Sequence, residues 1–355
     1  MKTQVNEIDY SGQNIYVGFD VHLKSWKVCI MTERMKLKPF SQDPKPEILV
    51  NYLKKNFPGG NYHSAYEAGF CGYWIHHKLL SLGVNNMVVN AADIPTTHKE
   101  KVAKEDKRDS QKIARSLRSG ELTPIFVPPM EASDDRGLLR CRSTFVKEST
   151  RNKNRIKAYL NYNGIDTKEF DGEKHWSANF LNWLETIEFS KQSGKIGLNA
   201  YLEHQRYLRA AVLGLTKKVG QLSREEEYLE NVRLLRSIPG IGLITAMTYL
   251  TEIGDIFRFK TVDRYCSYIG IVPSTHSSGE KDRTGNMTSR TNKAILSTLV
   301  ECSWIAVRHD PALRNYYHKL CLRMEPNNAI IRVAKKLAKI MRSLLINKKA
   351  YVAIE

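Results

Sequence analysis

The chain has 355 residues, with 55 Lys and Arg against 37 Asp and Glu, a formal net charge of +18. Its 42% hydrophobic content excludes a disordered chain, and its 21 Gly and 12 Pro exclude a collagen-like or low-complexity one. No apolar run approaches the length needed to span a bilayer, so the positive excess points to a polyanion, nucleic acid before anionic membrane. The polar start, with Glu7 and Asp9, lacks the pattern of a secretory signal. Six scattered cysteines without a CxxC pair read as small buried hydrophobes, which fits a reducing cytoplasm.

The first third reads as α/β. Strands are expected at Ile15 to Asp20, Trp26 to Met31, His63 to Glu67 and Met87 to Asn90. Helical periodicity runs through Pro46 to Asn56, Trp74 to Leu82 and Glu105 to Leu117. Strands alternating with helices imply a sheet flanked by helices.

The middle is basic. Arg136, Arg140, Arg142, Lys147, Arg151, Lys153, Arg155 and Lys157 fall on one long predicted helix suited to tracking a nucleic-acid backbone, followed by Tyr159 and Tyr162, which are candidates for stacking on bases. Asn161 to Gly197 reads as irregular with a short helix. Leu208, Val212, Leu215, Val219, Leu222 and Leu229 then form a heptad-like seam, suited equally to an antiparallel hairpin within the chain or to a dimer contact. Beyond Arg233 helices dominate. Two apolar helical patterns flank Pro239-Gly240-Ile241-Gly242, a helix–hairpin–helix-like turn in which Gly240 and Gly242 would let backbone N–H groups approach a phosphate. A Gly/Ser-rich loop is expected up to Met287, with helices at Asn292 to Val307 and Ile330 to Ile346.

Asp20 and Glu67 end predicted strands, and Asp106 and Asp109 stand three apart on a predicted helix and so share one side of it. Four carboxylates around one point repel unless divalent cations neutralise them, and hard oxygen donors suit Mg²⁺ or Mn²⁺, ions that can polarise a phosphodiester. Ser277-Ser278-Gly279 is followed by Lys281, Arg283, Arg290 and Lys293, a serine among cations able to hold a phosphate.

Together these segments resemble the bacterial insertion-sequence transposases of the DEDD type, the IS110 family of bridge-RNA-guided serine recombinases. The N-terminal matches are Val17-Gly18-Phe19-Asp20-Val21-His22, Tyr66 through Tyr73, and Lys104-Glu105-Asp106-Lys107-Arg108-Asp109. The C-terminal ones are Ile238 through Gly242, Tyr268 through Pro273, Ser277-Ser278-Gly279 through Gly285-Asn286, and Leu299 through Trp304. The resemblance implies an RNase H-like (RuvC-like) α/β domain over 1–135, a basic helical or coiled-coil connector over 136–232, and a mainly α transposase domain over 233–355. It implies Asp20, Glu67, Asp106 and Asp109 as the metal-holding acids and Ser278 as the nucleophile, with Ser277 as the fallback. Arg140, Arg151, Arg155, Arg283, Arg290 and Lys293, with Gly240 and Gly242, are the candidate nucleic-acid contacts. The implied partners are donor and target DNA, a non-coding guide RNA and further copies of the chain, in a homodimer or larger assembly. Two rivals use the same residues differently: a metal-dependent junction endonuclease with water as nucleophile, and a non-catalytic nucleic-acid-binding relic of a transposase.

Overall fold

Alternation and periodicity turn into one sheet and a succession of helices in a computed structural model that describes residues 9–95, 106–170, 176–278, 281–287 and 291–353, with backbone alone for 106–108, 273–278 and 281–287. The chain divides into two units, Met1–Met130 and Glu131–Glu355.

In the first unit the strands are β1 (Asn14–Val21), β2 (Trp26–Met31), β3 (Phe40–Gln42), β4 (Asn61–Glu67) and β5 (Asn85–Val89), and the helices α1 (Pro46–Asn56), α2 (Trp74–Ser81) and α3 (Asp106–Arg118). The sheet order is β3-β2-β1-β4-β5. β2 pairs antiparallel with β1 and β3, while β4 pairs parallel with β1 and with β5. The mixed sheet agrees with the expected α/β start. The addition is β3, whose three residues are too few to show alternation.

Successive residues of β1 serve opposite faces. Val17 and Phe19 join Tyr66 of β4, Leu49 and Leu53 of α1, and Ile75 and Leu79 of α2 in one buried cluster. On the other face Ala65 and Val89 pack with Ile113 and Leu117 of α3, and Cys29 and Met31 pack with Ala114. Gly18 belongs to this second face. A Cβ there would lie 2.2 Å from Ala114 N and 2.3 Å from Ser110 O, so the α3 backbone rests directly on the strand. Ser110 and Ala114 are fully buried. Arg118 Nη1 donates to Thr32 O at 3.4 Å, next to Met31, which pairs with Tyr16. The C-terminus of α3 therefore lies over the start of β1, and its N-terminus over the end of β1.

The second unit is mainly helical: α4 (Met130–Tyr162), α5 (Ala178–Thr186), α6 (Gln192–Leu222), α7 (Glu226–Arg236), α8 (Leu243–Ile253), α9 (Val262–Ile269), α10 (Lys293–His309), α11 (Pro311–Cys321) and α12 (Pro326–Asn347), with a hairpin of β6 (Pro273–Ser278) and β7 (Lys281–Met287). α4 and α6 form an antiparallel hairpin. Tyr159 Oη donates to Gly194 O at 2.8 Å, Asn152 Nδ2 to Tyr201 O at 3.0 Å and to Gln205 at 3.1 Å, and Arg142 Nε to Thr216 at 2.8 Å. Leu208, Val219 and Leu222 of the expected seam are buried within the chain, in keeping with its use in an internal hairpin. The seam is shorter than expected. α6 ends at Leu222, three polar residues turn the chain, and Leu229 of α7 is 54% exposed while Tyr228 is buried and donates to Asp135 at 2.7 Å. α6 also begins earlier, at Gln192, inside the stretch read as irregular. α11 is a further helix absent from the sequence reading, opened by an Asp310 cap to Leu313 N and Pro311 at its first position.

α7 to α12 share one core. Within it Glu252, 2% exposed, is the point where three helices meet. Arg140 of α4 forks onto it, Nε to Oε1 at 2.7 Å and Nη2 to Oε2 at 2.9 Å. Asn292, the cap of α10, donates to Oε2 at 2.9 Å, and Arg136 Nε lies 3.9 Å from it. Burial pushes the carboxyl pKa up, but the hydrogen bonds from Arg140 and Asn292 and the two guanidinium charges outweigh it, leaving it below the ordinary glutamate value.

Gly18→Ala is expected to destabilise the first unit by about 3 kcal/mol, because backbone atoms cannot rotate out of the way, and loss of hydrogen-exchange protection in β1 and α3 measures it. Glu252→Ala is expected to cost about 3 kcal/mol, the low end for breaking a buried pair, since Arg140 is 63% exposed and can regain water. Because the folded pKa is lowered, the Glu252 contribution is complete above the unfolded value of about 4.3 and is lost as pH falls through the lower folded value. Exchange protection in α8 and α10 should therefore fall more steeply on acidification in the wild type than in Glu252→Gln.

Candidate active site

The acid-bearing end of the sheet follows from strand register. The register between β1 and β4 runs to Phe19 opposite Tyr66, so Asp20 and Glu67 stand level at the ends of neighbouring parallel strands. Both continue the face occupied by Gly18 and Ala65, which α3 covers. Asp109 directly precedes Ser110, the residue over Gly18, and Asp106 opens the helix. At 1.5 Å per helical residue against about 3.3 Å per strand residue, the first turn of α3 and the end of β1 advance together towards one edge of the sheet. The Asp106 side chain lies outside the described residues.

Two of these acids have basic neighbours. His22 Nε2 lies 3.0 Å from Asp20 Oδ2, and Lys112 Nζ lies 3.6 Å from Asp109 Oδ1. Among the described residues no group of three or more His, Cys, Asp or Glu side chains gathers into a ligand cluster. The donors are all carboxylates, whose hard oxygens fit a hard divalent cation rather than a thiophilic one.

The expected Gly/Ser-rich loop is instead a β-hairpin. Ser278 is the last residue of β6 and pairs with Lys281, the first of β7, while Ser277 pairs with Asp282 and His276 with Arg283. The sequence could not signal this, because Pro273 to Ser278 and Lys281 to Met287 carry little apolar alternation to betray a strand. The side chains of Ser277, Ser278 and Arg283, and all of Arg290, lie outside the described residues. The base of the hairpin is described. Gly270 closes α9 with φ +83°, and a Cβ there would lie 2.2 Å from Thr291 Cγ2, so the two ends of segment 271–290 meet. Asn292 then caps α10 and binds Glu252, and Tyr268 Oη donates to Glu252 O at 2.9 Å. Glu252 was missed by sequence reasoning; an acid near the end of the apolar run Leu243 to Ile253 was its signal.

The candidate nucleic-acid contacts separate into two kinds. Arg151 and Arg155 are exposed one turn apart on α4, and Lys293 is exposed at the start of α10. Arg140 is committed to Glu252. Gly240, φ +91°, gives its missing side chain to packing, since a Cβ there would sit 2.8 Å from Cys302 O, whereas Gly242 is open and precedes α8 as its cap. Tyr159 packs against Tyr201 and Phe189, but Tyr162 is 91% exposed. No described helix is long and apolar enough to cross a membrane.

Comparison with known proteins agrees with this arrangement. Residues 232–318 match the model of the Transposase IS116/IS110/IS902 family. Residues 17–163, which hold most of β1, all of β2 to β5 and the four acids, match a transposase model of the DEDD IS110 type. The putative transposase y4qE of Sinorhizobium fredii is 29% identical over 248 residues, 70% of this chain and 59% of that protein's length. The transposase for insertion sequence element IS1533 of Leptospira borgpetersenii is 30% identical over 247 residues, 68% of this chain and 70% of that protein. The transposase for insertion sequence element IS1111A of Coxiella burnetii is 24% identical over 295 residues, 80% of this chain and 77% of that protein. An acid-ended mixed sheet followed by helices, both regions matched by transposase models and 68% of the chain aligned at 30% identity with an insertion-sequence transposase, makes this chain a member of the IS110/IS116/IS902 family of DEDD-type insertion-sequence transposases.

Proposed function

We propose that the protein is an RNA-guided DNA recombinase that excises and inserts its element through a phosphoserine intermediate, in the bacterial cytoplasm and as a dimer or larger assembly. The observation that carries the reading is that Asp20 and Glu67 stand level at the ends of neighbouring strands, on the sheet face covered by the helix whose first turn holds Asp106 and Asp109. The strand order, with β2 alone running against the other four, supports an RNase H-like (RuvC-like) sheet.

Asp20, Glu67, Asp106 and Asp109 would hold Mg²⁺ or Mn²⁺. A divalent ion there supplies charge neutralisation at the phosphodiester and activation of the attacking oxygen. Ser278 Oγ attacks phosphorus, giving up its proton; the P–O bond to one strand end breaks, and the departing oxygen takes up a proton. The serine phosphodiester keeps the energy of the broken bond, so attack by a free strand hydroxyl rejoins DNA and restores the serine without ATP. Arg283, Arg290 and Lys293 are the candidate partners of the phosphate, and Arg151 and Arg155 of the nucleic-acid backbone. Sequence choice would be delegated to pairing between a guide RNA and DNA.

Ser278→Ala and Asp20→Ala are each expected to abolish strand exchange while leaving RNA binding intact. A protein–DNA adduct surviving denaturing gels is expected from the wild type and not from Ser278→Ala. Cleavage without any adduct would replace the serine pathway by metal-dependent hydrolysis. Absence of cleavage on every nucleic acid tested, with or without Mg²⁺, would leave a binding protein only. Sequencing the small RNA that co-purifies with the protein tests guidance: one dominant structured RNA from the element's flank is expected, and a salt-labile mixture of host RNA would overturn it.

A further inference from the structure

We infer that the groove between the end of α6 and one face of α7 is a second nucleic-acid site, separate from the hairpin and from the basic face of α4, which grips phosphodiester groups of the backbone. The inference rests on the proposed action on nucleic acid.

The groove has a volume of about 550 Å³ and is lined by Arg224, Arg233, Arg236, Ser223, Ser237 and Leu229, among others, and, among the described residues, by no carboxylate. Leu229, Val232, Arg233 and Arg236 follow helical spacing, so one face of α7 is apolar at the groove floor and cationic along its edge. Arg224 reaches the same groove from the turn after α6.

These three guanidinium groups are exposed and make no hydrogen bond or ion pair among the described residues. Five other arginines of the unit are occupied: Arg136 and Arg140 by Glu252, Arg206 by Glu185, Arg142 by Thr216, and Arg314 by backbone carbonyls. Nor do the acids of α7 compensate them. Glu230 pairs with Lys348 at 3.0 Å, and Glu226 and Glu227 of the first turn do not line the groove. Three unpaired planar forks around one open trough match phosphate oxygens, and two serine hydroxyls add neutral donors.

The trough also ends on α8. Leu243, the first residue of that helix, lines it, and the Gly242 cap supplies no side chain to the first-turn N–H groups. The positive end of an eleven-residue helix thus adds to the arginine charge. The Pro239-to-Gly242 turn acquires a different role from the one its glycines suggest: Gly240 is spent on α10, and the turn serves to aim α8 into the groove.

The test is the salt dependence of binding to a duplex DNA and to a single-stranded RNA, measured by fluorescence anisotropy on the full chain. Replacing Arg224, Arg233 and Arg236 together by Gln should lower the slope of log affinity against log salt by about 2 to 3 on duplex DNA, or about 2 on single-stranded RNA. A fall on one nucleic acid alone identifies which backbone the groove takes, and the triple Lys variant should retain the wild-type slope. The variant with Arg34, Lys54 and Lys55 replaced by Gln removes the same charge from the first unit and should change the slope by less than about 1. Equal changes in the two Gln triples, or superimposed lines for wild type and the arginine triple, would overturn the groove while leaving the proposed function standing. A wild-type chain that binds neither nucleic acid would overturn both.

Discussion

The acidic end of the first unit depends on the absence of one side chain. With Gly18, α3 settles onto β1 at backbone contact, and its first turn is carried to the strand ends where Asp20 and Glu67 stand. A glycine inside a strand ordinarily weakens it, through lost packing and greater chain entropy. Here the loss is offset by burial of Ser110, Ile113, Ala114 and Leu117 against the sheet. Site geometry and core packing are therefore one constraint. The face that holds the helix is the face that presents the acids.

The second unit solves a different problem, the joining of helices far apart in sequence. Its apolar core is non-directional and would tolerate sliding, whereas the Glu252 carboxylate accepts a two-pronged guanidinium and an amide at fixed angles. That fixes α4 against α8 and the start of α10. The α4–α6 hairpin uses the same device in neutral form, with Asn152, Gln205 and Ser149 linked inside an otherwise apolar seam. Buried polar pairs of this kind specify register more than they add stability.

Much of this was legible in the residues. β1, β2, β4 and β5 and the helices between them announced themselves by period, and the acids Asp20 and Glu67 by standing at the ends of apolar runs. The seam from Leu208 to Leu222 was legible too, but not its end, because a 4-3 spacing continues across Ser223 to Glu225 regardless of whether the helix does. β6 and β7 were illegible. Their residues, PSTHSS and KDRTGNM, are mostly polar at both odd and even positions, so no apolar alternation marks a strand. The commitment of Arg140 was equally hidden. A basic residue on a basic helix looks like a surface charge until the fold brings Glu252, more than a hundred residues away in sequence, under it. Gly18 was read only as part of a motif, since a close approach is a property of two segments and not of one.

Gly270 and Thr291 give the hairpin an unusual attachment. The two chain segments cross here at van der Waals distance, between the left-handed cap of α9 and the Asn292 cap of α10, and Ile271 and Val272 run on from the crossing into the helical core. Asn292 also holds the buried carboxylate of Glu252, so the crossing and the ion-pair junction are two ends of one linkage, and a displacement of either is felt at the other.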